Sequence, residues 1–563
     1  MDWNWMPILL MMCAPLAMLQ EASGATATPA PKGEVTKYEF AASKIFPGTV
    51  REYWVYVPKQ YDPARPACVY VGQDGIGYNA PEVFDKLIAA GEMPVTIGVF
   101  IRPGGTRSFR DNVEWRPNRS YEYDSVNDNY VRFLLEEMLP EVERKQTADG
   151  RPIHLSHSGN DRAIAGGSSG GIAAFNAAWQ RPDAFSRVYS SVGSYTNLRG
   201  GNSLQNLVRK CEPKPIRIYM QSGTHDARFL CGDWWMANQE MERALSISGY
   251  EVNHTWGEGD HGSPQQVEIF PDVMRWLWKD WPKPVKAGTG SEYLQAVTLP
   301  GVGWQQVVTG PCTITALAAD AQGEVFFSAA SSNKIYRLDA AGKPREFLAD
   351  ARHARGMAWG PDGRLYLASA ATKQVLACTT QGQVSVLAEG LAAGALTVLH
   401  NGHIYVTETN TAEPEAGKLW LLAGGKKTLL DEALPAPTAL IFSPDQARLH
   451  VASATSRFVL SYMLHPDGAV GNREPFYILE APVEPEACGA TAVQADRGVW
   501  IYTATQLGVQ VSDVEGRVLA ILAPPAGRIT SMCFGGEKFD TLYVASGGAI
   551  YQRKLKVQGA TAF

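Results

Sequence analysis

The run Gly167-Ser168-Ser169-Gly170-Gly171 satisfies G-x-S-x-G. In that pattern small residues let a strand turn sharply into a helix with a serine at the bend. This reading takes Ser169 as the nucleophile. Ser168 is the rival by adjacency and is set aside as lacking flanking glycines at the motif's offsets. A serine hydroxyl attacks poorly until a base takes its proton, and the base needs an acid to orient it. In the scaffold such a motif implies, the acid follows the serine and the histidine comes last. Three histidines lie between the motif and residue 282: His225, His254 and His261. His254 falls inside an expected strand and His225 in a turn. His261 stands in the glycine-rich loop Gly257-Glu258-Gly259-Asp260-His261-Gly262, so it is the expected base. Asp226, just after an expected strand and the turn Ser222-Gly223-Thr224, is the expected acid. Asp233 is assigned instead to capping a helix that starts at Trp234. The N–H of Gly170 is expected to face the oxyanion, with a second donor at Ile76 in the glycine-rich stretch 71–78. The chemistry predicted is acyl transfer through a serine ester.

The elements that must position these groups alternate. Stretches 67–72, 95–101, 163–165, 216–220 and 252–256 read as buried strands, and 130–143, 172–179 and 233–246 as helices, with a last helix through Trp278. Such alternation predicts a mostly parallel sheet with helices on both faces. The expected fold is thus an α/β domain over 35–282, a linker at 283–300, and a second domain over 301–563.

The second domain has another rhythm. A unit of short strand, Asp/Gly turn and second strand starts at 316, 357, 396 and 440, roughly every forty residues, and returns twice more. Six such units predict a six-bladed β-propeller.

The 563 residues are 45% hydrophobic and 19% charged, a globular composition. The net charge of −6 and the lack of a long basic run argue against a nucleic-acid partner. Residues 1–28, apolar and then small, read as an export signal, which predicts a secreted or periplasmic protein with no membrane anchor after cleavage. The eight cysteines show no zinc spacing. Cys211 and Cys231 are read either as a disulfide or as two buried thiols. No cofactor is expected. Trp115, Tyr121 and Trp234 are candidates for an aromatic platform under the substrate, and Trp235 is assigned to the core.

The segment Gln73-Asp74-Gly75, the run Asn118 to Ser125, the serine motif, the run Gly232 to Met241 and His261 together resemble the enterochelin-esterase and feruloyl-esterase branch of the α/β-hydrolases (carbohydrate esterase family 1 type). The resemblance implies a serine esterase acting on an acylated or feruloylated carbohydrate, or on a siderophore. Glu122, inside the second of these runs, is taken as substrate-binding with Trp115, Tyr121 and Trp234. The repeats resemble the gluconolactonase/senescence-marker-protein family through Asp362–Tyr366, Phe534-Gly535-Gly536 and Thr541-Leu542-Tyr543. That family holds a divalent metal through Glu, Asn and Asp. Here no Glu precedes Pro311, and Thr438 and Ser453 stand where a metal-binding turn is expected. Neutral hydroxyls do not replace carboxylates around a hard cation. The expectation is an accessory propeller without a metal. The alternatives are a metal-dependent lactonase using Glu408 and Asp445, and a carbohydrate-binding protein without catalysis.

Overall fold

The computed structural model describes residues 29–107, 116–309, 313–409, 412–413, 416–482 and 488–561. The expected export signal, Trp115 and the Gly310-Pro311-Cys312 turn lie outside the described residues.

The first half builds one eight-stranded sheet. Its strands are β1 (Glu34–Phe40), β2 (Arg51–Val57), β3 (Cys68–Gln73), β4 (Thr96–Ile101), β5 (Arg162–Gly167), β6 (Arg187–Ser191), β7 (Arg217–His225) and β8 (Glu251–Asp260). The order is β1-β2-β4-β3-β5-β6-β7-β8. The two β2 pairings are antiparallel; from β4 to β8 every pair is parallel. Helices α1 (Ala80–Ala89), α2 (Ser169–Gln180), α3 (Ser203–Lys210), α4 (Trp234–Ile247) and α5 (Phe270–Trp278) cover it. Because both faces are covered, the central strands bury consecutive residues: Val69, Tyr70 and Val71 on β3 and Ala163, Ile164 and Ala165 on β5 are all enclosed. This is an α/β-hydrolase fold. Its antiparallel start, β1 and β2, and the strand β6 carried no clear signal in the sequence pattern.

The second half is a six-bladed propeller. Five four-stranded blades occupy 314–348, 356–389, 393–434, 437–478 and 492–522, and the sixth occupies 529–554 with an outer strand from earlier in the chain, Gln305–Val308. That strand pairs with Ala549–Lys554 and closes the ring. Within 283–300 a helix, Glu292–Val297, buries Leu294 and Val297 against the last two blades.

The halves meet at the end of α3. Cys211 bridges Ile521 on the outer strand of the fifth blade, covering that open sheet edge. The Glu212 carboxylate accepts from Ala523 N at 2.8 Å and from Arg553 at 2.6 Å. Lys210 pairs with Glu480. Lys214, on the same side, donates to the carbonyl of Trp179 near the last turn of α2. The propeller is therefore seated at the end of the sheet opposite the first turn of α2, where the serine motif lies. Cys211 and Cys231 are separate thiols.

Candidate active site

Four neighbouring parallel strands deliver the site from one edge, the carboxyl ends where α/β sheets bind ligands. Ser168 is the first residue after β5, Asp226 the first after β7 and His261 the first after β8. Behind β6 come Val192, Gly193 and Ser194.

His261 Nε2 stands 2.9 Å from Ser168 Oγ, and His261 Nδ1 stands 2.5 Å from Asp226 Oδ1. The imidazole is about one-third exposed while the Asp226 carboxylate is sealed. Asp226 Oδ2 accepts from Ser222 Oγ at 2.5 Å, and Oδ1 also accepts from Ala227 N at 2.7 Å. With Nδ1–H donating to Asp226, Nε2 is left as the acceptor for the serine proton. The strand ends carrying acid and base touch. A Cβ on Gly223 would fall 2.1 Å from the Gly259 carbonyl oxygen, so a side chain there would drive Asp226 and His261 apart.

The expected nucleophile is corrected by one residue: the histidine is on Ser168, not Ser169. Ser168 holds φ 59° and ψ −124°, a strained conformation for a residue with a side chain and the mark of a nucleophile elbow. The reason lies in a glycine that the motif reading passed over. Gly166 and Gly170 flank Ser168 at the same offsets as Gly167 and Gly171 flank Ser169. A Cβ on Gly166 would sit 2.4 Å from the Gly170 carbonyl oxygen, so these two glycines touch across the bend. Ser169 is buried, and its hydroxyl lies beside the carboxyl of Asp124. Burial raises that carboxyl's pKa above the usual range, against the pull of the Ser120 and Ser169 hydroxyls, Arg119 and Arg199.

The oxyanion donors move accordingly. The residue after the nucleophile is Ser169, so its N–H replaces that of Gly170 in the expected role. Both N–H groups head α2, where no carbonyl one turn back is available to them. From the β3 loop, the segment against the elbow is Gln73–Asp74: a Cβ on Gly170 would lie 3.0 Å from each of Gln73 Cβ and Asp74 Oδ2. The Asp74 N–H is turned to Tyr123 Oη at 3.4 Å, and Ile76, the expected second donor, has a side chain that is 43% exposed. Arg119 secures the loop with two bonds to the Asp74 carboxylate at 2.7 and 2.9 Å, and reaches the Gly167 carbonyl at 3.4 Å.

The remaining candidates divide. Tyr121 is exposed on the rim, with the Arg199 guanidinium 5.3 Å from its ring centroid. Glu122 is corrected: it is sealed in the core, paired with Arg51 at 2.7 Å and accepting from Gly104 N and Asn118. Trp234 is buried and stands edge-on to His261 at 5.9 Å. Trp235 packs on Trp256. Asp233 accepts from Met236 N at 3.1 Å and caps α4. His254 stacks on Trp256, and His225 bonds the Glu258 carbonyl, both away from Ser168. Phe229 and Leu230 project from a short hairpin beside Trp234, giving the mouth an apolar lip.

In the propeller, a channel cavity of about 600 Å³ runs between the inner strands. Thr438 Oγ1 donates to the Ala490 carbonyl at 2.9 Å, joining the fourth blade to the fifth. Ser453 Oγ accepts from Thr455 N and Ser456 N, closing a turn. Glu408 pairs in register with Ala393, at the end of the ring where the inner strands begin, and accepts from Trp420 Nε1 at 3.0 Å. Asp445 lies in the hairpin at the other end, bonded to Ser443. These two carboxylates do not share a site. Among the described residues no three His, Cys, Asp or Glu side chains are grouped to hold a metal ion.

Comparison with known proteins divides the chain as the fold does. Residues 46–270 match the family described as "Putative esterase", and residues 315–548 the family described as "SMP-30/Gluconolactonase/LRE-like region". The iron(III) enterobactin esterase of Dickeya dadantii is 24% identical over 302 residues, covering 49% of this chain and 63% of that protein. A pentonolactonase of Haloferax volcanii is 28% identical over 142 residues, covering 25% of this chain and 48% of that protein. Among solved structures, a ferulic acid esterase is 19% identical with a TM-score of 0.35, covering 44% of this chain and 98% of that one. The chain spans from about half to just under two thirds of the length of the curated relatives it matches. The N-terminal half thus matches an esterase family, and the C-terminal propeller a gluconolactonase-like one.

Proposed function

We propose that this protein is a serine carboxylic-ester hydrolase that forms its acyl-enzyme on Ser168. The observation that carries the reading is the unbroken line Asp226–His261–Ser168 at an elbow with strained backbone. His261 takes the Ser168 proton as the hydroxyl attacks the ester carbonyl. The tetrahedral oxyanion is met by the N–H of Ser169 at the α2 N-terminus, with a second backbone donor supplied by the loop after β3. The imidazolium then gives its proton to the departing alcohol. Water, deprotonated by the same histidine, releases the acid.

The substrate class proposed is an acylated or feruloylated carbohydrate. Support comes from the rim: Tyr121, Phe229 and Leu230 offer exposed apolar area to an aryl acyl group. A siderophore ester is the second reading, favoured by the similarity to the enterobactin esterase. The protein is proposed to act after export. The propeller is accessory in this reading, because Thr438 and Ser453 are engaged in holding blades and turns together.

A panel of feruloyl, acetyl and catecholate-siderophore esters tests the substrate class. The proposal predicts fastest turnover of a feruloyl or acetyl sugar ester; preference for the siderophore ester overturns it. Organophosphate labelling tests the nucleophile, with the adduct expected on Ser168.

A further inference from the structure

Ser168 Oγ has a second polar neighbour. Ser194 Oγ lies 3.5 Å from it and is 3.0 Å from the indole Nε1 of Trp234. An indole N–H only donates, so Ser194 Oγ accepts there, and its own proton is left to donate elsewhere. Ser168 gives its single proton to His261 and retains lone pairs to accept.

The local backbone is built to hold this arrangement. Ser168 N donates to the Ser191 carbonyl at 2.9 Å, and Ser194 N donates to the Ser168 carbonyl at 3.1 Å, so the β6 turn brackets the nucleophile on both sides. To fold back that far, buried Val192 takes φ 41°, a strained value for a β-branched residue. Asn238, fully enclosed on α4, bonds both the N–H and the carbonyl of Gly193, and also the carbonyl of Trp234. One side chain thus fixes the Ser194 loop to the helix turn that carries the indole.

We propose that Trp234 and Ser194 are positioning residues of this site: the indole N–H orients the Ser194 hydroxyl so that its proton points at Ser168 Oγ. The inference rests on Ser168 being the nucleophile. The donated bond steers the Ser168 lone pair, and it stabilises negative charge on Oγ when that oxygen attacks and when it leaves the acyl-enzyme. A contact of 3.5 Å in the free enzyme tightens as charge develops. Trp234, expected to bind substrate, acts through Ser194 instead.

The test is a double-mutant cycle on the full chain with p-nitrophenyl acetate. Ser194→Ala and Trp234→Phe should each lower kcat roughly three- to tenfold, the worth of one neutral hydrogen bond, with KM nearly unchanged. The double variant should fall no further than the single variants, because both remove the same bond. Organophosphate labelling of Ser168 should slow by the same factor, which reads attack without substrate binding. Wild-type kcat in Ser194→Ala, or losses that multiply in the double variant, overturn the relay. Ser168→Ala keeps the two ideas apart: if it stays active, the nucleophile assignment fails; if it is dead while Ser194→Ala is normal, only the relay fails.

Discussion

Both halves of the molecule place hydroxyl groups at the ends of strands, and they treat them in opposite ways. In the propeller, Thr315, Thr438, Thr491 and Thr530 occupy matching positions at the start of four inner strands. Each donates to a carbonyl at the start of the next blade, at 3.2, 2.9, 2.8 and 3.0 Å. Their protons are committed to backbone and their own backbone is relaxed. In the hydrolase, Ser168 sits on a strained bend where its hydroxyl finds an imidazole rather than a carbonyl. A hydroxyl becomes chemistry when the fold denies it ordinary partners and supplies a base. Residue type alone does not separate the two cases.

The largest test of that contrast is at the elbow. Ser168→Ala should reduce kcat by on the order of 10⁴–10⁶, whereas Ser169→Ala, which removes a buried hydroxyl beside Asp124, should cost about tenfold or less. The reverse ranking, read by steady-state kinetics, would restore the original assignment. Next in size, Asp226→Asn should lower kcat roughly 10⁴-fold by leaving His261 in the wrong tautomer. Asp233→Asn, a change at a helix cap, should alter stability slightly and kcat little.

A buried histidine extends the comparison to pH. Burial, with Arg448 nearby, holds His450 in the fourth blade down to about 4 from an ordinary value of 6.5. The unfolded chain takes up a proton there below about pH 6.5 and the folded one does not. Stability present above that pH is therefore lost as pH falls toward 4, by at most about 3 kcal/mol. In thermal melts from pH 7 to pH 4.5, His450→Gln should lose less stability than the wild type. An identical acid limb in both would remove His450 as its source. Smallest of all, Thr438→Val should cost about 1 kcal/mol in denaturant unfolding, with kcat of the esterase unchanged. A fall in kcat would mean that the blade clasp and the site communicate.

Much of the site was legible because two of its parts follow from chain order and loop chemistry. Asp226 and His261 stand alone as an acid after a strand and a histidine in a glycine loop. Ser168 and Ser169 were not separable by pattern because six small residues in a row, Gly166 to Gly171, satisfy the motif in two registers. Only contact between Gly166 and Gly170 distinguishes them, and contact is not a sequence pattern. Glu122 shows the same limit: a carboxylate in a motif reads as functional, yet its partner Arg51 is 71 residues away. Ser194 gave no signal either, since its role depends on the backbone of Val192 and on Asn238 from another element. The propeller was legible from its period, but Thr438 read only as a lost ligand, not as a clasp.

The strand Gln305–Val308 has a consequence for how the chain is made. It leaves the ribosome directly after the hydrolase and before every other blade strand, yet its partner belongs to the last blade; Gln305 and Gln552, side by side in that pairing, are 247 residues apart. During synthesis the hydrolase can fold first, while the ring stays open until its final strands emerge. Arg553, which grips Glu212 of the hydrolase, arrives in the same late stretch. Ring closure thus waits for the last blade, and a chain that stops short of residue 549 loses it together with the Arg553–Glu212 bond, while keeping the contacts of Lys210, Cys211 and Glu212 with residues 480, 521 and 523.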